Sequence, residues 1–252
     1  MADNQGQIAL HNTASSLRSS LVAAAAVVRL LLEAAPATAL AVGHGGWTPL
    51  HFAAERGNIE VMKLLLPAAP AAAAMLNKYK QAPVHRAAYR SNAAAVQLVL
   101  EAAPQLAFAP SALGDTPLPM VFLYGRFRTA EQIIETARCL LRAAPAVQPA
   151  LNTLFRFSHR SATLFADLVA RLPLTQEQWH SIPAPCPDLA RALPAVLQRS
   201  TAEAGWLVGH LAEGQRGRLQ AAALGLAQAQ RRQQIGAALP AELSGRVLAL
   251  VV

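Results

Sequence analysis

Seven histidines and two cysteines are the side chains best equipped for acid–base, nucleophilic or metal chemistry in this 252-residue chain. Cys139 and Cys186 are far apart and neither belongs to a ligand-spaced pair, so they read as reduced thiols. His51 and His85 are related by a step of 34 residues. A repeated histidine is either a repeated ligand or a repeated structural bond, and no further His or Cys stands at zinc-ligand spacing beside them. His44, flanked by Gly43, Gly45 and Gly46, resembles a phosphate-cradling loop only superficially. The chain has no G-x-x-x-x-G-K-S/T, no G-x-S-x-G and no H-E-x-x-H, and its carboxylates form no tight cluster. It is therefore expected to be no enzyme, with no catalytic residues, no cofactor and no metal.

The histidines sit in a repeated unit. Thr48 suits a helix N-cap, Pro49 the first helical position, and Gly57 the left-handed residue that ends a short helix. Leu50, Ala53 and Ala54 make one small-residue face between them. The run from Ile59 to Leu66 then predicts a second helix, with Ile59, Met62, Leu65 and Leu66 at helical spacing. Thr48-Pro49 recurs as Ala82-Pro83 and Thr116-Pro117, and Ala35-Pro36 as Ala69-Pro70 and Ala103-Pro104, all at one step of 34 residues. Two independent markers sharing one period define a repeat.

The period, the T-P-L-H-x-A-A signature and a glycine six residues after the histidine resemble the ankyrin repeat over residues 48–125. The resemblance implies antiparallel helix pairs joined by protruding hairpin loops and stacked into a slightly curved solenoid. It also implies that His51 and His85 tie neighbouring loops together, and that His44 lies in a hairpin. The expected fold is all-α, an ankyrin-repeat solenoid of 34-residue helix–turn–helix units followed by a helical C-terminal extension. Residues 1–150 would hold a degenerate first repeat at about 14–47, its outer helix without T-P-L-H, then units 48–81, 82–115 and 116–150. The second unit lacks the threonine cap (Ala82) and has Ser91 in place of the glycine; the third has Pro119 in place of the histidine. The third also carries seven extra residues, placed at 126–132. There Thr129 and Gln132 form a capping box that opens a helix over about 130–142, and Arg126, Phe127 and Arg128 form an exposed loop.

Beyond Leu151 the markers stop while the helical pattern continues, so 151–252 is expected to be a helical region, a separate cap rather than diverged repeats. Thr175 with Gln178 and Ser200 with Glu203 read as capping boxes. Trp179 and Trp206 read as core anchors. Helices are expected over Thr163–Leu172, after the proline-rich break at 183–187, and over about 215–234. Leu239, Pro240, Glu242 and Leu243 resemble the opening of an F-box, which would imply a ubiquitin-ligase adaptor; only about 14 residues follow, and a capped last helix is the plainer reading.

The net charge is +8, with 12 basic against 8 acidic side chains up to residue 150 and 10 against 6 thereafter. An excess spread in this way argues against nucleic acid as partner. The run Leu21–Leu32 is too short to span a bilayer and contains Arg29, so no membrane association is expected; an organelle transit peptide is the alternative, and the repeat register accounts for the segment better. A cytoplasmic protein, with nuclear residence as the alternative, and a monomer are expected.

The resemblance places partner contacts on the hairpin tips and on the exposed face of the first helices. In this chain those positions hold Trp47, Glu55, Arg56, Lys78, Tyr79, Lys80, Tyr89, Arg90 and Tyr124. Between Glu60 and Glu101 there is no acid, whereas Lys63, Lys78, Lys80, Arg86 and Arg90 are basic. Tyrosine with arginine is the composition of interface hot spots. The chain is expected to be an interaction scaffold that binds an acidic or phosphorylated segment of a partner protein; the competing reading is a merely solvated basic face.

Overall fold

In the computed structural model Thr48 opens a helix as its residue type demands. Its extended backbone leaves the side-chain oxygen to accept from the His51 N–H at 3.4 Å, and Pro49 occupies the next position. Helix α3 (Pro49–Arg56) ends on Gly57 at φ 69°, and Asn58 caps α4 (Ile59–Ala68) by accepting from the Val61 N–H. Leu50, Ala53, Ala54, Val61, Met62 and Leu65 are fully buried, so the alanines let the two helices approach closely. Ala69-Pro70 then starts a single 3-10 turn, Pro70–Ala74, because proline ends the α-helix and cannot continue it. The same turn follows Ala35 and Ala103, as Pro36–Leu40 and Pro104–Phe108. The 34-residue Ala-Pro marker is thus the step from each helix pair to the next hairpin.

The structure describes residues 9–15, 21–124, 128–143, 147–182 and 184–231, all helical or irregular with no strand among them. Contacts divide the chain into two compact units, Met1–Ala146 and Val147–Val252. The first unit contains α1 (Ala9–Ser15), α2 (Leu21–Ala34), α3, α4, α5 (Pro83–Tyr89), α6 (Ala93–Ala102), α7 (Pro117–Tyr124) and α8 (Ala130–Arg142). α1, α3, α5 and α7 form one layer and α2, α4, α6 and α8 the other. Hairpin loops connect the pairs. Gly43, Asn77 and Ser111 each donate to the carbonyl four residues on, and adjacent hairpins are joined by Lys78 N–H to Gly45 O and Ala112 N–H to Tyr79 O, both 2.8 Å.

Two left-handed positions recur with the period. Gly46, Lys80 and Gly114 share the first, at φ 79°, 52° and 81°; Gly57 and Ser91 share the second, at 69° and 49°. Gly46 has a further reason to be glycine, since a Cβ there would stand 3.0 Å from Asn77 Cα and Lys78 N. Ser91 is 4% exposed and its hydroxyl has no partner.

The first repeat differs from expectation. Its outer helix is Ala9–Ser15, ahead of residue 14, and Leu10-His11 occupies the place of Leu50-His51, so the Leu-His half of the motif is kept. His11 precedes His51 by 40 residues instead of 34, and the displacement hides the match. The lengthened second helix of the last repeat does start behind Thr129, which accepts from Gln132 N–H while Gln132 Oε1 accepts from Thr129 N–H. Arg126 and Phe127 lie outside the described residues, and Arg128 is exposed.

The second unit contains α9 (Val147–Arg156), α10 (Ser158–Arg171), α11 (Gln176–Ser181), a 3-10 turn Pro187–Ala192, α12 (Leu193–Arg199), α13 (Thr201–Gly209) and α14 (Glu213–Arg231). Thr175 and Gln178 form the capping box in full. Ser200 caps α13, but the Glu203 carboxylate does not return to it: it pairs with Arg199 at 2.7 Å and accepts from Leu174 N–H, so only half of that box exists. Trp179 is fully buried, whereas Trp206 is half-buried. The F-box-like stretch 239–250 lies outside the described residues. Among the described residues no helix is long and apolar enough to cross a membrane.

Replacing Ser91 by glycine should raise unfolding stability by roughly 1 kcal/mol, since it relieves a left-handed β-carbon and deletes an unpaired buried hydroxyl. Gly46→Ala should lower it by a similar or larger amount. Urea denaturation of the two variants checks both signs.

Candidate protein-interaction face

Because α3, α5 and α7 lie side by side, residues four, seven and eight places after each cap form rows across the array. Fourth positions are Phe52, Arg86 and Met120; seventh, Glu55, Tyr89 and Leu123; eighth, Arg56, Arg90 and Tyr124. The centre of this grid is Arg86. Its guanidinium is 2.9 Å from Glu55, 4.7 Å from the centre of the Trp47 ring and 4.8 Å from that of Tyr89. Arg90 shares the same Glu55 oxygen at 3.5 Å and lies 5.7 Å from the Tyr89 ring. Tyr89 meets Tyr124 with ring centres 4.8 Å apart, and Trp47 meets Phe52 at 4.9 Å.

Five of the expected contact residues, Trp47, Glu55, Tyr89, Arg90 and Tyr124, therefore form one continuous surface. Lys78, Tyr79 and Lys80 are brought together separately, at the tip of the hairpin, with the Lys78 ammonium 5.1 Å from the Tyr79 ring centre. Tyr79 and Tyr124 are about half exposed, at 51% and 47%. Arg56 is exposed beside Gly57.

Arg86 and Phe52 are members of the face that the contact set drawn from the sequence omits. The signal was an acid and a base on neighbouring repeats, Glu55 and Arg86, at positions seven and four. Such a diagonal pair becomes visible only once the helices are known to lie alongside. Lys63 is a correction of the other kind, for it pairs with Glu60 on the solvent side of α4 and adds nothing here. Two guanidiniums on one carboxylate leave the centre of the face positive, and low exposure of that triad (17–35% of each side chain) reduces solvent screening.

The histidines prove to be structural. Nε2 of His11, His51 and His85 faces the carbonyl of Trp47, Gln81 and Ala109 at 3.1, 2.9 and 2.9 Å. Nδ1 of His51 faces the Thr48 N–H at 3.3 Å, and that of His85 the Ala82 N–H at 3.1 Å. A ring nitrogen opposite a carbonyl must donate and one opposite an N–H must accept, so the neutral Nε2–H tautomer is imposed. Burial, seconded by the nearby Arg86 charge and opposed by the carbonyl bond, lowers His51 to about 4; burial likewise lowers His85. Among the described residues no group of His, Cys, Asp and Glu is placed to hold a metal.

A family model described as ankyrin repeats (3 copies) matches residues 1–75 and 19–109. No curated protein matches the chain. Ankyrin repeats generally mediate protein–protein interactions and are typically non-enzymatic scaffolds.

The histidines carry a pH signature. With a folded pKa of about 4 against 6.5 unfolded, His51 contributes stability that is complete above about pH 6.5 and is lost as pH falls towards 4. The full loss is on the order of 3 kcal/mol at about 1.4 kcal/mol per unit. Urea midpoints should drop between pH 7 and 4.5, and His51→Gln should flatten that slope.

Proposed function

With residues 1–109 matched by a family model of ankyrin repeats, we propose that the protein is a non-enzymatic scaffold that binds an acidic segment of a partner protein across the first-helix face and the hairpin tips. The observation that carries this reading is the Glu55–Arg86–Arg90 triad enclosed by Trp47, Tyr89 and Tyr124. Two guanidiniums share one carboxylate there, leaving an excess of one positive charge among aromatic rings.

The physical basis is complementarity. Aromatic rings beside arginine offer large contact area at small entropic cost, and the pre-formed ion pairs hold the guanidiniums in place before a partner arrives. A partner carboxylate can engage the part of the Arg90 guanidinium that Glu55 leaves unused, since that side chain stays 35% exposed. Lys78 and Lys80 at the neighbouring hairpin extend the same sign of charge along the path of an extended peptide. Such a face steers acidic partners over distances of about 10 Å at moderate salt. Cys139 and Cys186 form no disulfide, which accords with a cytoplasmic or nuclear setting.

The test is fluorescence anisotropy of the full chain with fluorescein-labelled degenerate peptides rich in Glu and, as control, rich in Lys. Acidic peptides should bind preferentially and progressively more weakly with added salt. Tyr79→Ala with Tyr124→Ala, both on half-exposed rings, should weaken binding at least tenfold, about 1.4 kcal/mol or more, with helical circular dichroism unchanged. Equal binding of both peptide sets, or indifference to the tyrosine pair, would sink the reading.

A further inference from the structure

At one edge of the same array lies a cleft of about 420 Å³. Its walls come from three consecutive repeats: Arg56 at the end of α3, Arg90 and Ser91 at the turn from α5 to α6, and Arg128 with the first turns of α8. Arg128 belongs to the seven-residue insertion, so the insertion supplies a wall that a regular repeat would not have.

The charges in the cleft are unevenly spent. Its acids are Glu55, Glu131 and Glu135. Glu55 is held by Arg86 and Arg90, and Glu135 by Arg138 at 2.8 Å. Glu131 lies in the first turn of α8, where the helix dipole favours an acid. Neither Arg56 nor Arg128 belongs to any of the described ion pairs, so two guanidinium forks are open to an anion. Ser91 lines the same cleft. It is 4% exposed, its backbone is left-handed at φ 49°, and its hydroxyl makes no hydrogen bond. The equivalent residue one repeat earlier is Gly57, which makes the same turn without strain and without an unmade bond. The Nε of Arg90, next in the chain, is likewise covered and unpaired. A covered donor without an acceptor is destabilising, and here two of them line one cleft.

We propose that this cleft is a phosphoryl subsite, which takes the phosphorylated serine or threonine side chain of a partner segment lying on the first-helix face. The proposal rests on the reading of that face as a binder of acidic peptides. A phosphoryl group brings a charge near −2 and three acceptor oxygens, enough to engage Arg56 and Arg128 and still accept from a neutral hydroxyl. A carboxylate brings one charge and two oxygens, and would meet Glu131 without that surplus. The volume accommodates the modified side chain together with its flanking backbone.

Three fluorescein-labelled acidic peptide libraries, identical except for a central phosphoserine, glutamate or serine, would be titrated against the full chain. The phosphoserine library should bind at least about tenfold tighter than the glutamate library. Arg56→Ala with Arg128→Ala should abolish that preference, and Arg128→Ala alone, outside the first-helix face, should reduce it while leaving glutamate binding nearly unchanged. Ser91→Gly should reduce the preference in a chain that is no less stable, which separates the hydroxyl's role from unfolding. Equal binding of the phosphoserine and glutamate libraries to the native chain, or a preference that survives the double arginine variant, overturns the phosphoryl subsite. If glutamate binding still depends on Tyr79 and Tyr124, only the subsite falls; if no library binds, the acidic-segment reading falls with it. Inorganic phosphate that displaces the phosphoserine library at concentrations equal to the peptide's own would overturn a peptide subsite in favour of a free-ion site.

Discussion

One hydrogen bond in each of the first three repeats, from an imidazole Nε2–H to a carbonyl in the following loop, sets the spacing on which everything else depends. It requires a neutral ring, and the neutral ring is secured locally because Nδ1 is already taken by the N–H that precedes proline. A side chain thereby closes its own helix start and reaches the neighbouring unit with the same five-membered ring. The backbone bonds between hairpins, Lys78 to Gly45 and Ala112 to Tyr79, hold the same register from the other side of the loop. With both in place, neighbouring first helices cannot slide relative to each other, and side chains from separate repeats meet at reproducible distances.

That registration is what turns scattered charges into a surface. Glu55 reaches Arg86 because position seven of one repeat lies beside position four of the next. Tyr89 reaches Tyr124 because position seven lies beside position eight. Each repeat alone would leave its charges and the outer faces of its rings to water. Together they hold two guanidiniums against one carboxylate and three rings, an arrangement whose parts lose little further freedom on binding.

Local rules made much of the array legible in the sequence, and the failures have physical causes. Thr48, Pro49 and Gly57 each have one conformation in which they cost nothing, and α3 is the segment where all three agree. Thr129 and Gln132 behaved likewise at α8. The first repeat escaped because the extra residues between α1 and α2 break the period, and periodicity cannot detect a motif that has been moved; Leu10-His11 was legible only as a fragment. Glu203 shows the limit of a capping rule, since a nearby arginine and a distant N–H competed for the carboxylate and won. Arg86 escaped for another reason: its importance is a property of three repeats at once. Ser91 could be read as a missing glycine, but the unmade bond of its hydroxyl is a fact of packing and had no sequence signal.

The row of imidazoles has an end. His11, His51 and His85 bind forward, but Pro119 occupies the corresponding place in α7 and can offer neither ring donor nor ring acceptor. Cohesion in a stacked array is a sum of nearest-neighbour couplings. The chain is therefore a zipper with one weak tooth. Its inner repeats are held by such bonds on both sides, whereas the pair α7–α8 is tied back by the bonds of His85 and Tyr79, passes no histidine bond on, and frays at lower free energy. Amide protons of α3 to α6 should outlast those of α7 and α8 in exchange with solvent, a gradient of local opening along a single spine.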